Sequence, residues 1–246
     1  MKNFKFSTLA IALVFFFSCG NTSKIISTSK EDVKTFDFGI TQEEAAKGIK
    51  EALKNGAGVG VDFLSKKDGF FKNLTYKILF PPEALKMEKT LRKYGFGKQC
   101  DQVIENINRG AEMAVAEAKP EFVNAITTMS ISDAITIVTG GNGAGTAYLK
   151  RTTIDGLRIK FKPIIQKSLD KTEATKYWTQ VMTSYNKIPR VEKVNPDLNT
   201  YVTNKALEAL FSQIEIEENK IRKDPLMRTS EILKKVFDYA DLKKKK

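Results

Sequence analysis

From Ile40 to Tyr239 the apolar residues of this chain return every three or four positions, and no stretch alternates apolar with polar residues between hairpin turns. That period constrains the fold more than any motif does, because it admits packed helices and excludes an extensive sheet. Tyr76–Phe80 is the one candidate strand, and it is short. The expected fold is all-α, a single multi-helix domain of roughly eight to ten helices with no substantial sheet and no fixed internal repeat.

Local signals punctuate the pattern. Thr41 with Glu44 forms a capping box for a helix through Ala45, Ile49 and Leu53, which Asn55-Gly56 weakens. Residues 67–82 read as a loop, and Pro82 opens a helix that Gly95 ends. The next helix, about Lys98–Ala118, places Val103, Ile107, Ala111, Ala114 and Ala118 on one stripe. Pro120 starts a short helix, and Ser130 with Asp133 caps another before the glycines at 140, 141, 143 and 145 break the period. Thr152 and Asp155 then open a helix that Pro163 should kink or divide. An aromatic-rich helix follows through Tyr177, Trp178 and Tyr185. Leu207, Leu210, Phe211, Ile214 and Ile221 give the clearest amphipathic face, and a last helix runs from about Pro225 to Tyr239.

The front of the chain differs in kind. Lys2 and Lys5 precede an uncharged, mostly apolar run, Phe6–Phe17, followed by Ser18-Cys19-Gly20. Twelve residues span roughly 18 Å as a helix, short of a hydrocarbon core of roughly 30 Å, so the run fits a cleaved secretory signal. Ser18-Cys19 resembles a lipobox, in which Cys19 becomes the lipidated N-terminus; Phe16 stands where Leu is commonest. The expected organisation is a signal peptide over 1–18, a lipidated N-terminus and tether over 19–38, an all-helical domain over 39–240 and a Lys-rich tail over 241–246. Gly20 after the cysteine, where inner-membrane retention usually needs Asp, favours the outer membrane. The domain is expected to face the periplasm.

Composition removes whole classes of chemistry. The 246 residues contain no histidine, which excludes Ser-His-Asp and Cys-His catalysis and the His ligands of ordinary zinc sites. With Cys19 lipidated, Cys100 has no partner for an intrachain disulfide and reads as a small buried apolar residue. Of 41 basic residues, Lys2 and Lys5 leave with the signal, so 39 face 29 acidic ones. That excess suits anionic lipid headgroups, acidic glycans or nucleic acid, the last disfavoured by the export signal, while basic residues interleaved with Glu and Asp read as a solvated surface.

Three constellations invite chemical readings. Gly140 and Gly145 have P-loop spacing, but Thr146-Ala147 replaces the Lys-Ser/Thr pair and a helix precedes them, so the Walker reading fails. A weaker anion site survives: loop amides at Gly143 and Gly145 with Lys150, Arg151 and Thr152 nearby. Asn195–Asn199 imitates a calcium loop, but Thr200 replaces its Gly and Ala206 its Glu, so Asp197 or Asn199 reads as a helix cap. Among Glu215, Glu217 and Glu218, the last lies four residues before Arg222, the spacing of a helix-surface ion pair. No catalytic residue, metal ligand or cofactor is expected.

Several strings occur together in order: Leu91-Arg92 with Gly95 and Gly97, Asn108-Arg109-Gly110-Ala111-Glu112, Gly145–Tyr148 through Lys150–Thr153, Phe161–Ile165, Tyr201–Thr203 through Phe211, and Ile221–Pro225. The set resembles the bacterial family catalogued as domain of unknown function 4197, over roughly residues 39–238. Gly110 and Gly145 stand where that family is expected to have Ala, and Leu149 where an aromatic is expected. The resemblance implies an exported helical protein and transfers no catalytic residue. The expected role is therefore a non-catalytic envelope lipoprotein, held to the membrane through its lipid and binding an envelope protein or an anionic envelope component. A histidine-independent enzyme and a carrier with an inter-helix cavity are the alternatives.

Overall fold

In the computed structural model, residues 39–244 are described except 172–177, 181, 184, 185, 188, 191 and 192. Eight α-helices make up this part: α1 Gln42–Ser65, α2 Leu85–Lys93, α3 Gly97–Ala116, α4 Ala118–Thr127, α5 Ile131–Thr139, α6 Ala144–Leu169, α7 Leu198–Lys223 and α8 Glu231–Lys244. No strand occurs among the described residues, and the fold is a single all-α domain. Of the aromatic-rich helix expected around Tyr177–Ile188, residues 177, 181, 184, 185 and 188 lie outside the described residues.

The starts follow from the capping chemistry. Thr41 Oγ1 accepts from Glu44 N at 3.1 Å while Glu44 Oε2 accepts from Thr41 N at 2.9 Å. Ser130 and Asp133 repeat the box on α5, and Asp197 caps α7 by accepting from Thr200 N. Each supplies acceptors for amides that the first turn leaves unpaired.

Helix α6 packs between α3 and α7, and α1 lies against α7, α3, α4, α5 and α8. The stripe foreseen on α3 is buried, as are Leu207, Leu210, Phe211, Ile214 and Ile221 of α7. One sequence expectation fails here. Asn55-Gly56 does not weaken α1, which runs unbroken past Gly60, because these glycines admit close neighbours: a Cβ on Gly60 would lie 3.0 Å from Ile214 Cγ1. Of the two outcomes expected at Pro163, a kink or a division, the division does not occur: α6 runs through it as one helix. Asn199 Nδ2 of α7 donates to Lys162 O beside it and to Gln166 Oε1, at 2.9 and 2.8 Å, which ties that stretch of α6 to its neighbour.

The candidate strand Tyr76–Phe80 is an extended loop. Asn108 of α3 stands in for a neighbouring strand: its Oδ1 accepts from Ile78 N and its Nδ2 donates to Ile78 O, each at 2.8 Å.

Candidate functional site: the surroundings of α7

The glycine loop before α6 turns inward. Gly143 is the N-cap, in the left-handed region at φ 74°, and α6 begins at Ala144; Thr152, expected to open the helix, lies inside it and donates its hydroxyl to Tyr148 O. The anion at the α6 N-terminus belongs to the protein. Glu218 of α7 accepts from Gly145 N at 2.9 Å, Thr146 N at 2.7 Å and the Thr146 hydroxyl at 2.8 Å. A helix N-terminus favours such a charge through its free amides and its dipole.

Arg222 completes the cluster. Its Nε donates to Glu218 Oε1 at 2.8 Å and its Nη2 to Ile137 O at 2.9 Å. The sequence spacing suggested a surface pair, but Glu218 is 6 % and Arg222 4 % exposed. The reason is tertiary packing: the first turn of α6 needs an acceptor and takes Glu218, while Ile137 O of α5 and the Phe237 ring of α8 meet Arg222. Gly145 makes the approach possible, since a Cβ there would stand 2.5 Å from Leu53 Cδ2 and 3.2 Å from Glu218.

The other residues of the expected anion site do not converge on these amides. Lys150 stands four to five residues further along α6, roughly 6–8 Å along its axis, where it lines a cleft between α6 and α7. Arg151 is exposed, 3.6 Å from Asp133 and over the Tyr148 ring. Gly143 and Gly145 thus share their place with Glu215 and Glu218, and the cations belong to another part of the surface.

The remaining buried charges are also matched. Glu112 accepts from Phe70 N and Phe71 N, each at 3.1 Å, and from Arg109, which reaches on to Asp68 at 2.7 Å. Burial alone would lower the Arg109 guanidinium; its hydrogen bonds to Glu112 and Asp68 raise it above its ordinary value. Glu217 accepts from Gln213 and Lys220. Arg228 donates to Asp238 and Asp241 at 2.6 Å each, and both Arg222 and Arg228 lie against the Phe237 ring. These pairs bind α7 to α6 and α8 and the 68–71 loop to α3. Burial pushes the Cys100 thiol above its ordinary value, which disfavours a thiolate. No group of His, Cys, Asp or Glu suited to a metal ion occurs among the described residues.

Open chemistry lies on either side of α7. Between α6 and α7 is a cleft of about 280 Å³, with Leu207 and Phe211 as apolar lining and Lys150, Arg158, Asn204 and Glu208 as polar lining. Between the extended loop and α7 is a second, of about 450 Å³, bounded by Tyr76, Lys77, Tyr201, Lys205, Glu208 and Ser212. Glu208 borders both. Its hydrogen bond, 2.7 Å from Lys205 Nζ, raises the Lys205 ammonium above its ordinary value, and burial pushes the Tyr201 phenol up. Tyr201, Lys205, Glu208 and Ser212 fall on one stripe of α7 at helical spacing. Sequence reasoning missed this stripe, although it is the polar complement of the apolar face it identified.

The family model described as protein of unknown function (DUF4197) matches residues 39–238, and the chain belongs to that family. Comparison with curated proteins and with solved structures finds no match.

Proposed function

We propose that this member of a family without an assigned reaction is an envelope lipoprotein, anchored through Cys19 at the outer membrane and facing the periplasm. Its helical body works as a binding module for an anionic envelope component. The observation that carries the binding half is the pair of clefts along α7. Lys150 and Arg158 border one and Lys77 and Lys205 the other, each set beside an apolar floor. Concave surface with a few convergent polar groups is how small-ligand and partner sites are built. The matched buried charges support the same reading, since they serve to hold α6, α7 and α8 together. The anchoring half rests on the sequence around Cys19. Among the described residues no single helix is long and apolar enough to cross a membrane.

Two measurements test it. Cells fed labelled palmitate should label the full chain and not its Cys19→Ser variant; equal labelling, or none, overturns the anchor. Dextran sulfate serves as a polyanion probe for the body. Charge reversal at Lys150 and Arg158, or at Lys77 and Lys205, should weaken its binding at least tenfold, and reversal at Lys47 and Lys54 of α1 should not. Equal losses from both sets mean diffuse charge and remove the clefts from the account.

A further inference from the structure

Helix α2 differs from the other seven described helices in contributing no buried residue. Met87 and Leu91, half-buried, hold it against the body. Beyond them the chain makes a sharp corner into α3. Phe96 N donates to Leu91 O at 3.0 Å and Gly95 N to Arg92 O at 3.2 Å, with Gly95 in the left-handed region at φ 92°. These paired bonds are a Schellman closure, in which the residue after the glycine usually packs back on the helix. Here that residue is Phe96, and it remains 49 % exposed, with Tyr94 beside it at 72 %.

Arg92 braces the corner. It donates to Glu88 and to Gly97 O and pairs with Asp101 of α3 at 2.9 Å, so one side chain fastens both helices. Lys86, Lys89 and Lys93 form a stripe leading to the corner, and Lys98 follows it. All four are exposed, and no described carboxylate pairs with them. Two exposed aromatic side chains beside unpaired lysines match an anionic lipid interface. Aromatic rings settle at headgroup depth there, and cations meet phosphates.

We propose that the α2–α3 corner docks on an anionic phospholipid surface, with Tyr94 and Phe96 entering the headgroup–acyl boundary and Lys86, Lys89, Lys93 and Lys98 on the phosphates. The proposal stands on this corner alone and needs neither the lipid on Cys19 nor the α7 clefts. It gives the body a membrane contact of its own, and so an orientation.

The test uses the full chain with Phe96→Trp as reporter, the unmodified chain giving the background of the buried Trp178. It is reconstituted in phosphatidylcholine vesicles with or without phosphatidylglycerol, both carrying brominated acyl chains. The apolar front of the chain engages either vesicle, so it cancels in the comparison. Reporter emission should shift to the blue and be quenched in the anionic vesicles only, and inorganic phosphate should not compete. Lys86→Glu, Lys89→Glu and Lys93→Glu together should remove more than half the quenching. Because Phe96→Trp itself alters the corner, Tyr94→Trp serves as a second reporter, with helical circular dichroism required of every variant. Equal quenching in neutral vesicles, no quenching in anionic ones, or full competition by phosphate each overturns the proposal. Palmitate labelling and dextran sulfate binding read the other hypotheses separately.

Discussion

Replacing Glu218 should reveal how much of the fold rests on one carboxylate. Its oxygens accept four hydrogen bonds, from Gly145 N, Thr146 N, the Thr146 hydroxyl and Arg222 Nε, in a site closed to water. Glu218→Ala removes an N-terminal acceptor, worth about 1 kcal/mol, and strands the buried guanidinium of Arg222, where breaking a buried pair costs about 3–5 kcal/mol. The two losses share atoms and do not add, so about 4 kcal/mol is expected. Glu218→Gln discriminates better because it keeps the shape. Donors face both oxygens, so whichever position becomes the amide NH2 meets another N–H or the Thr146 hydroxyl. That variant should still lose about 3 kcal/mol, the upper range for hydrogen bonds to a charged group. Urea unfolding followed by circular dichroism reads the difference, with Glu215→Ala as an exposed control expected to move by less than about 0.5 kcal/mol. Coupling between Glu218→Ala and Arg222→Ala should reach about 2 kcal/mol in a double-mutant cycle. A Glu218→Gln protein as stable as the parent would refute the argument, since shape alone would then suffice.

Other outcomes follow from the same geometry. Asn108→Ala frees Ile78 N and Ile78 O in the interior and should cost about 2–3 kcal/mol, with hydrogen exchange accelerating over residues 73–80; unchanged exchange there means that Asn108 does not hold the loop. Gly58 has open space around its missing Cβ, so Gly58→Ala should stabilise α1 by about 0.5–1 kcal/mol, whereas Gly48→Ala would put a Cβ 2.5 Å from Val236 Cγ2 and should destabilise; thermal melts of the pair that move together contradict this packing. Acid should weaken the fold. The hydrogen bond from Lys235 holds Glu44 below its ordinary value, and that from Ser130 does the same for Asp133. Each therefore contributes stability that is complete above the unfolded-state value of about 4 and is lost as pH falls through the lower folded-state value. Ser130→Ala should flatten that fall in urea midpoints measured across the acid range, and an unaltered slope counts against the box.

Helix number, the capping boxes and the apolar faces of α3 and α7 were legible because each is set by residues within a turn or two of one another. The errors came where a residue's meaning depends on what crosses it. Asn55-Gly56 read as a weak point, yet Gly56, with Gly60 a turn further on, is where α7 comes close to α1. Pro163 read as a kink or a break, and α6 stays whole where Asn199 of α7 reaches it.

The same limit explains the glycine loop. Sequence showed that the amides around Gly143 and Gly145 would want an anion, and that Glu218 would pair with Arg222 four residues on. It could not show that these are one cluster, because 73 residues separate Gly145 from Glu218. Once α6 and α7 pack, Glu218 holds those amides, and an incoming anion would have to displace a carboxylate already paired with a buried arginine. Arg151 is likewise paired, with Asp133, whereas no described carboxylate pairs with exposed Lys150. Lys150 of the original set therefore enters the proposed binding role only by standing on the α6–α7 cleft, five to seven residues along from the glycines that first drew attention to it.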